Sequence, residues 1–185
     1  MLSTIYITKR LELVNLVDLI QEEYPTNYFS WMNDPIVTKY NSWGLFPYTK
    51  RTANEYMKYL ETTNDAIAWA VMVHTMDGLI HIGNITLQYI NWINRSAEMA
   101  IVIGEKDYWN KGYATEALTV LYNHGFHKLN LHRIWSGTAQ TNIGMIKTFE
   151  KLGMAHEGTF MDAMFLDGVY TDIVEYAILE DCWNR

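Results

Sequence analysis

The sequence predicts a mixed α/β fold, α+β in its ordering, arranged around one sheet. Two observations predict it. Apolar runs rich in β-formers recur and are separated by tight turn signals. Segments with helical spacing then fall between the later runs, so the chain ends in the order β-α-β-α-β-β. No repeat, low-complexity tract or linker divides the chain, so residues 1–185 read as a single domain.

Residues 6–13 alternate weakly and read as a first strand. From 14 to 48, Pro25, Asn33-Asp34-Pro35 and Gly44 break the chain into short helices and turns. Tyr28, Phe29, Trp31, Tyr40, Trp43, Phe46 and Tyr48 crowd this stretch, either as core or lining a groove or dimer contact. Residues 52–60 have helical spacing, with Ala53, Tyr56, Met57 and Leu60 on one side. Residues 66–75 form a strand, Asp77-Gly78 a hairpin turn, and 79–89 the return strand, with a bulge expected at Gly83. After a polar break at 91–95, residues 97–104 form the next strand. Residues 115–129 are a helix, with Ala114, Ala117, Leu118, Leu121, Tyr122 and Leu129 near one face. A strand at 132–138 leads to a helix at 143–152, capped by Asn142 and ended by Gly153. Two strands, 155–163 and 169–179, close the chain around Asp167-Gly168.

At 49% hydrophobic residues the chain can bury a sizeable core. Its net charge is −7 and Lys and Arg form no run, which argues against a nucleic-acid partner. No apolar window is long enough for a membrane span and no secretory signal opens the chain, so the expected location is cytoplasmic. Cys182 is the single cysteine, expected as a free, partly buried thiol.

The strand at 97–104 runs into a turn holding Asn110, Lys111 and Gly112, and a helix follows. A glycine there lets an anion approach the backbone, Ala114 is the next small residue, and the helix N-terminus aims N–H groups at the same spot. That is the layout of a pyrophosphate cradle. The local alternative is a tight strand-to-helix turn with a packing glycine. Lys111 either adds positive charge or faces solvent. The sequence has neither a Gly-x-Gly-x-x-Gly fingerprint nor a Gly-Lys-Ser/Thr ending, so dinucleotide and triphosphate loops lack support.

Two blocks of the chain resemble the GNAT superfamily of N-acetyltransferases, and within it the branch of the ribosomal-protein N-terminal acetyltransferases. Trp109-Asn110-Lys111-Gly112-Tyr113-Ala114 is similar to the family's Gln/Arg-x-x-Gly-x-Gly/Ala loop, with Asn110 where the branch often has Gly. Asn142, Glu150-Lys151-Leu152-Gly153 and His156-Glu157-Gly158 match the second block, with Met154 in place of Phe. Leu11-Glu12-Leu13 and Trp31-Met32-Asn33-Asp34-Pro35 fit the branch's opening.

The resemblance implies a mostly antiparallel sheet splayed by a coenzyme A cleft between the 97–104 and 132–138 strands, with helices on both faces. It implies acetyl-CoA as cosubstrate, with binding positions Ile101, Val102, Trp109, Asn110, Lys111, Gly112, Tyr113, Ala114, Thr115, Asn142 and Phe149. The diphosphate would lie on 111–115, and Asn142 would bond the pantetheine arm or order a water. Acetyl then passes directly to an amine acceptor, a small molecule or a peptide N-terminus, without an acyl-enzyme, so Cys182 is not the nucleophile.

Glu98 is the candidate general base; alternatively it only anchors or orients the amine. The family's usual general-acid positions hold Phe149 and Met145, neither of which carries a proton, and Tyr113 and Tyr170 are weak substitutes. His81 reads as a satisfied structural histidine, with a base as the alternative. His124, His127 and His132 lack metal-ligand spacing, so no metal is expected. Asp162, Asp167 and Asp172 either recognise a cation or solvate turns. Protein N-termini, polyamines, aminoglycosides and amino sugars all remain open as acceptors. A sugar O-acetyltransferase and a non-catalytic acyl-CoA-binding or sensing domain are the alternatives, and a homodimer through a sheet edge or the aromatic segment is open too.

Overall fold

The computed structural model describes residues 3–183, apart from the side chains of Ser42 and Trp43, so Trp43 of the aromatic segment lies outside the described residues. Eight strands form one sheet in the order β1-β2-β3-β4-β5-β6-β8-β7.

The strand expected at 6–13 is instead a hairpin, β1 (Thr4–Ile7) and β2 (Leu11–Asn15). The turn closes on Thr8. Its N–H donates to the Leu11 carbonyl (2.8 Å), and its hydroxyl oxygen accepts from the Leu11 N–H (2.9 Å). A threonine is a good β-former, so composition alone does not reveal this side-chain-to-backbone turn.

The broken stretch contains α1 (Leu16–Gln21) and α2 (Tyr28–Met32), and α3 (Lys50–Thr62) then buries Ala53 and Met57 as the spacing predicts. β3 (Ile67–Thr75) and β4 (Gly78–Asn91) form the expected hairpin. Val71 faces Gly83 and Met72 faces His81, so Ile82 is the extra residue of a bulge beside Gly83. β5 (Ser96–Ile103) leads to α4 (Tyr113–His127), which starts two residues before the expected helix and ends before Leu129. β6 (Arg133–Ala139) and α5 (Ile143–Leu152) follow. The Asn142 side chain caps α5 by accepting from the Met145 N–H (3.3 Å), and Gly153 ends it. β7 (Ala155–Leu166) and β8 (Val169–Leu179) close the sheet.

Helices cover both faces. On one face Leu11, Leu13, Val71, Ile85, Leu87 and Met99 pack against Leu118, Leu121 and Tyr122 of α4 and Phe149 and Leu152 of α5. On the other, Val14, Leu16, Leu19, Ala68, Ala70 and Met72 pack with Met57 of α3. Each such large apolar side chain taken from water stabilises the fold by about 2 kcal/mol. Among the described residues no helix is long and apolar enough to cross a membrane.

Candidate active site

The cleft comes from the one parallel pair of strands among the described residues. β5 and β6 pair only at Ser96–Arg133, Ala97–Ile134 and Glu98–Trp135. Beyond Glu98 each strand stays attached on its outer side only. β5 follows β4 as far as Ile103–Gly83, and β6 follows β8 as far as Ala139–Ile173. The strands therefore part into a V, between the two strands expected to flank it. Glu98 lies at the apex, and Ile101 and Val102 lie on the arm that no longer pairs with β6.

Glu98 is half-buried and sits opposite Gln88 of β4. The Gln88 amide donates to Glu98 Oε2 (2.9 Å), which fixes the carboxylate's direction. Thr86 and Asn84 follow on the same face of β4 at alternate positions. Tyr56 of α3 meets Thr86, and burial pushes its hydroxyl up to about 12. Nearby, the Tyr28 and Tyr48 hydroxyls lie 2.8 Å apart, both pushed up by burial. The aromatic segment thus divides. Tyr28 and Trp31 are buried, whereas Phe46 is 78% exposed.

His81 is structural, as the sequence reading favoured. It is buried, with Nδ1 2.7 Å from the Thr26 hydroxyl and Nε2 2.9 Å from both the Gly83 carbonyl and Asn84 Oδ1. Burial pulls its pKa down to about 4.

The cradle begins where the Trp109 indole N–H donates to the Ile103 carbonyl (2.6 Å) at the end of β5. Asn110 takes φ 58° and Gly112 φ 81°, both left-handed; asparagine tolerates this better than most residues, and glycine does so freely. Gly112 is the N-cap of α4, and the N–H groups of Tyr113, Ala114 and Thr115 open the helix. Helix geometry leaves these first N–H groups without intrahelical partners. A Cβ on Gly112 would meet only an Arg10 Nη2 at 3.7 Å, so the approach to them is open. These residues fit a diphosphate. Lys111 is exposed, with Nζ 6.0 Å from the Tyr108 ring centre.

Arg10, from the β1–β2 turn, is the residue that sequence reasoning missed. Its Nη1 donates to the Lys111 carbonyl (3.0 Å), its Nε to Glu116 Oε2 (2.6 Å), and its guanidinium lies 4.3 Å from the Tyr113 ring centre. The Thr8 hydroxyl donates to Glu116 Oε1 (2.6 Å). Burial pushes the Glu116 carboxyl up, but Thr8 and Arg10 together hold it below its ordinary value. Partners so far apart in the chain leave no local sequence signal.

The remaining candidates disperse. The Asn142 amide donates to the Thr138 hydroxyl (3.0 Å), so its side chain is already engaged in capping and bridging. Phe149 is fully buried, its ring 5.1 Å from that of Tyr176, and Met145 packs on the same core. Tyr113 is held between Arg10 and Tyr108 in the cradle, and Tyr170 is 66% exposed at the start of β8. Cys182 is exposed rather than partly buried, because the neighbouring Trp183 takes the inward position against Tyr122. Asp167 lies in the last turn and pairs with Lys39 (3.2 Å). The Asp162 N–H donates to the Asp172 carboxylate (2.9 Å) across a bulge.

The acetyltransferase (GNAT) domain family model matches residues 13–155. An uncharacterized N-acetyltransferase of Bacillus subtilis is 32% identical over 156 residues, 84% of this chain and 88% of that protein. The spermidine N(1)-acetyltransferase of Vibrio cholerae is 33% identical over 99 residues, 54% of this chain and 57% of that protein. Among solved structures, the Vibrio cholerae spermidine N-acetyltransferase in complex with CoA and spermine superposes with a TM-score of 0.79. It is 26% identical, covering 95% of this chain and 98% of that one. The chain belongs to the acetyltransferase (GNAT) family and is an acetyl-CoA-dependent acetyltransferase.

Proposed function

We propose that the enzyme moves acetyl from acetyl-CoA directly to a primary amine, with Glu98 as general base. The observation that carries this reading is the position of Glu98. A half-buried carboxylate, aimed by Gln88, stands where β5 and β6 part. Acetyl-CoA supplies an activated acyl carbon. The amine nitrogen bonds to that carbon as the carbon–sulfur bond breaks, and the amine proton passes to Glu98 directly or through a water. The N–H groups of residues 113–115 and the turn Trp109–Gly112 hold the diphosphate, with Lys111 at its edge. Ile101 and Val102 offer an unpaired strand edge to the pantetheine arm, and α5, capped by Asn142 and anchored in the core by the fully buried Phe149, closes its other side without a direct contact from Phe149. Met145 and Phe149 donate no proton, so the thiolate departs without a side-chain acid at either position.

Two acceptor classes have specific support. Similarity to the spermidine N(1)-acetyltransferases supports a polyamine. The loop 109–114 and the opening block support the branch of the ribosomal-protein N-terminal acetyltransferases, and so a peptide N-terminus. Similarity to a putative ribosomal N-acetyltransferase of Bacillus subtilis, 31% identical over 102 residues, points the same way.

Thiol release from acetyl-CoA, measured with spermidine, peptides beginning with Ser or Ala, and amino sugars, tests both halves of the reading. One acceptor class is expected to turn over. With it, Glu98→Gln is expected to lower kcat/KM by about 100-fold or more while CoA affinity holds. Full activity of that variant across the pH range would remove Glu98 from the chemistry.

A further inference from the structure

α4 begins with an electrostatic conflict. Its N-terminus attracts anions, yet its first turn carries Glu116. A bare carboxylate beside the open N–H groups would compete for the helix's partial positive charge and repel an arriving diphosphate. Arg10 resolves this from outside the loop. It donates to Glu116 through Nε and approaches it through Nη2 (2.6 Å each). The same guanidinium donates to the Lys111 carbonyl and stacks on Tyr113, the residues on either side of Gly112. Its Nη2 lies 3.7 Å from where a Gly112 Cβ would project, at the mouth of the cradle. One side chain therefore contacts the turn, the helix and the helix's own acid.

We infer that Arg10 is a positioning residue for the cosubstrate. It fixes the left-handed turn through Asn110 and Gly112 and cancels the charge of Glu116, so that an anionic diphosphate meets backbone N–H groups instead of an unpaired carboxylate. The inference rests on the reading that residues 111–115 hold the diphosphate. Arg10 makes no contact with the reacting atoms, so its effect falls on CoA affinity and on KM for acetyl-CoA, with kcat at saturation kept.

Calorimetric titration of CoA into the whole protein tests this, with variants that separate charge from shape. Arg10→Ala is expected to weaken CoA binding about tenfold. Adding Glu116→Gln to Arg10→Ala is expected to recover binding to within about threefold of the unsubstituted protein, because the repelling charge has gone. Arg10→Lys retains the charge and is expected to bind nearly as well, which keeps the test open if Arg10→Ala folds poorly. Equal weakening in Arg10→Ala and the double variant would overturn charge cancellation, and unchanged CoA affinity in Arg10→Ala would overturn the inference outright. Gly112→Asp tests the cradle separately, since Asp accepts a left-handed backbone and places a carboxylate in the mouth. If Gly112→Asp binds CoA normally, the diphosphate reading itself fails. If it loses binding while Arg10→Ala does not, only the role of Arg10 fails.

Discussion

His81 makes the stability of this enzyme sensitive to mild acid, and the sign follows from its bonds. The Gly83 carbonyl and Asn84 Oδ1 can only accept, so Nε2 carries the proton and Nδ1 is bare, accepting from Thr26. The neutral ring is fully satisfied; a second proton would sit on Nδ1 in a buried site beneath Trp31, whose ring centre is 4.7 Å away. Burial lowers the folded pKa from the ordinary 6.5 to about 4. As pH falls below 6.5, the unfolded chain takes up this proton while the folded one refuses it until about 4. Stability present above 6.5 is therefore lost progressively across that window. Each tenfold difference in proton affinity is worth about 1.4 kcal/mol, so the whole window is worth about 3 kcal/mol, with about 2 kcal/mol gone by about pH 5. Urea denaturation of the unsubstituted protein and of His81→Gln, from about pH 7 to about pH 5, isolates this share. Glutamine does not titrate. Carboxylates held below their ordinary values by partners, Asp34, Glu116 and Glu157, titrate in both proteins and cancel in the difference, as does the half-buried His124. The unsubstituted protein is expected to lose about 2 kcal/mol more than the variant over that range. Parallel pH profiles would refute the argument.

Gly104→Ala places a Cβ 1.9 Å from Cδ2 and 2.2 Å from Cγ of Trp31, a buried side chain that also donates to Glu105 (3.0 Å). The indole must move, at a cost of about 1–3 kcal/mol, seen as a melting temperature lower by about 5 °C. Asn142→Ala removes the cap of α5 and the bond to Thr138, which lowers unfolding free energy in urea by about 1 kcal/mol, whereas Asn142→Asp keeps the cap. A fall in CoA affinity with no change in stability would show instead that Asn142 serves the cosubstrate alone.

What the sequence disclosed follows the range of the interaction. α5 is bounded by Asn142 and Gly153 as expected, because its signals lie within one turn of each end. The bulge beside Gly83 and the turn at Asp167 were legible for the same reason. Glu98 could be placed on its strand from alternation, but its partner Gln88 required the β4–β5 register, which hydropathy does not encode. The sequence reads as one continuous early strand because Thr8 is a β-former, and here it closes a turn with its hydroxyl. The insertion of β8 between β6 and β7 likewise depends on pairing across the sheet. Arg10 was invisible because its partners, Lys111, Tyr113 and Glu116, lie at the far side of the chain.

The topology explains why Glu98 and the turn before α4 stand at the two limits of one strand edge. Antiparallel neighbours can be joined by tight turns, whereas a parallel pair needs a crossover, and here that crossover is α4. Its N-terminus must lie beyond the C-terminal end of β5, which puts the proposed diphosphate position after Ile103. Glu98, the proposed base, lies at the other limit of the free edge, as the last residue paired with β6. Between them Met99 to Ile103 run unpaired with β6, a span of roughly 16 Å at ~3.3 Å per residue. A donor that is both held by its phosphates and attacked beside Glu98 must therefore be anionic at one end, reactive at the other and extended in between. A compact acyl phosphate cannot span that edge. A coenzyme A thioester, whose diphosphate and acyl sulfur are separated by a long flexible arm, meets all three requirements. Its reach along β5, more than any single side chain, would tie the proposed chemistry at Glu98 to the proposed positioning role of Arg10.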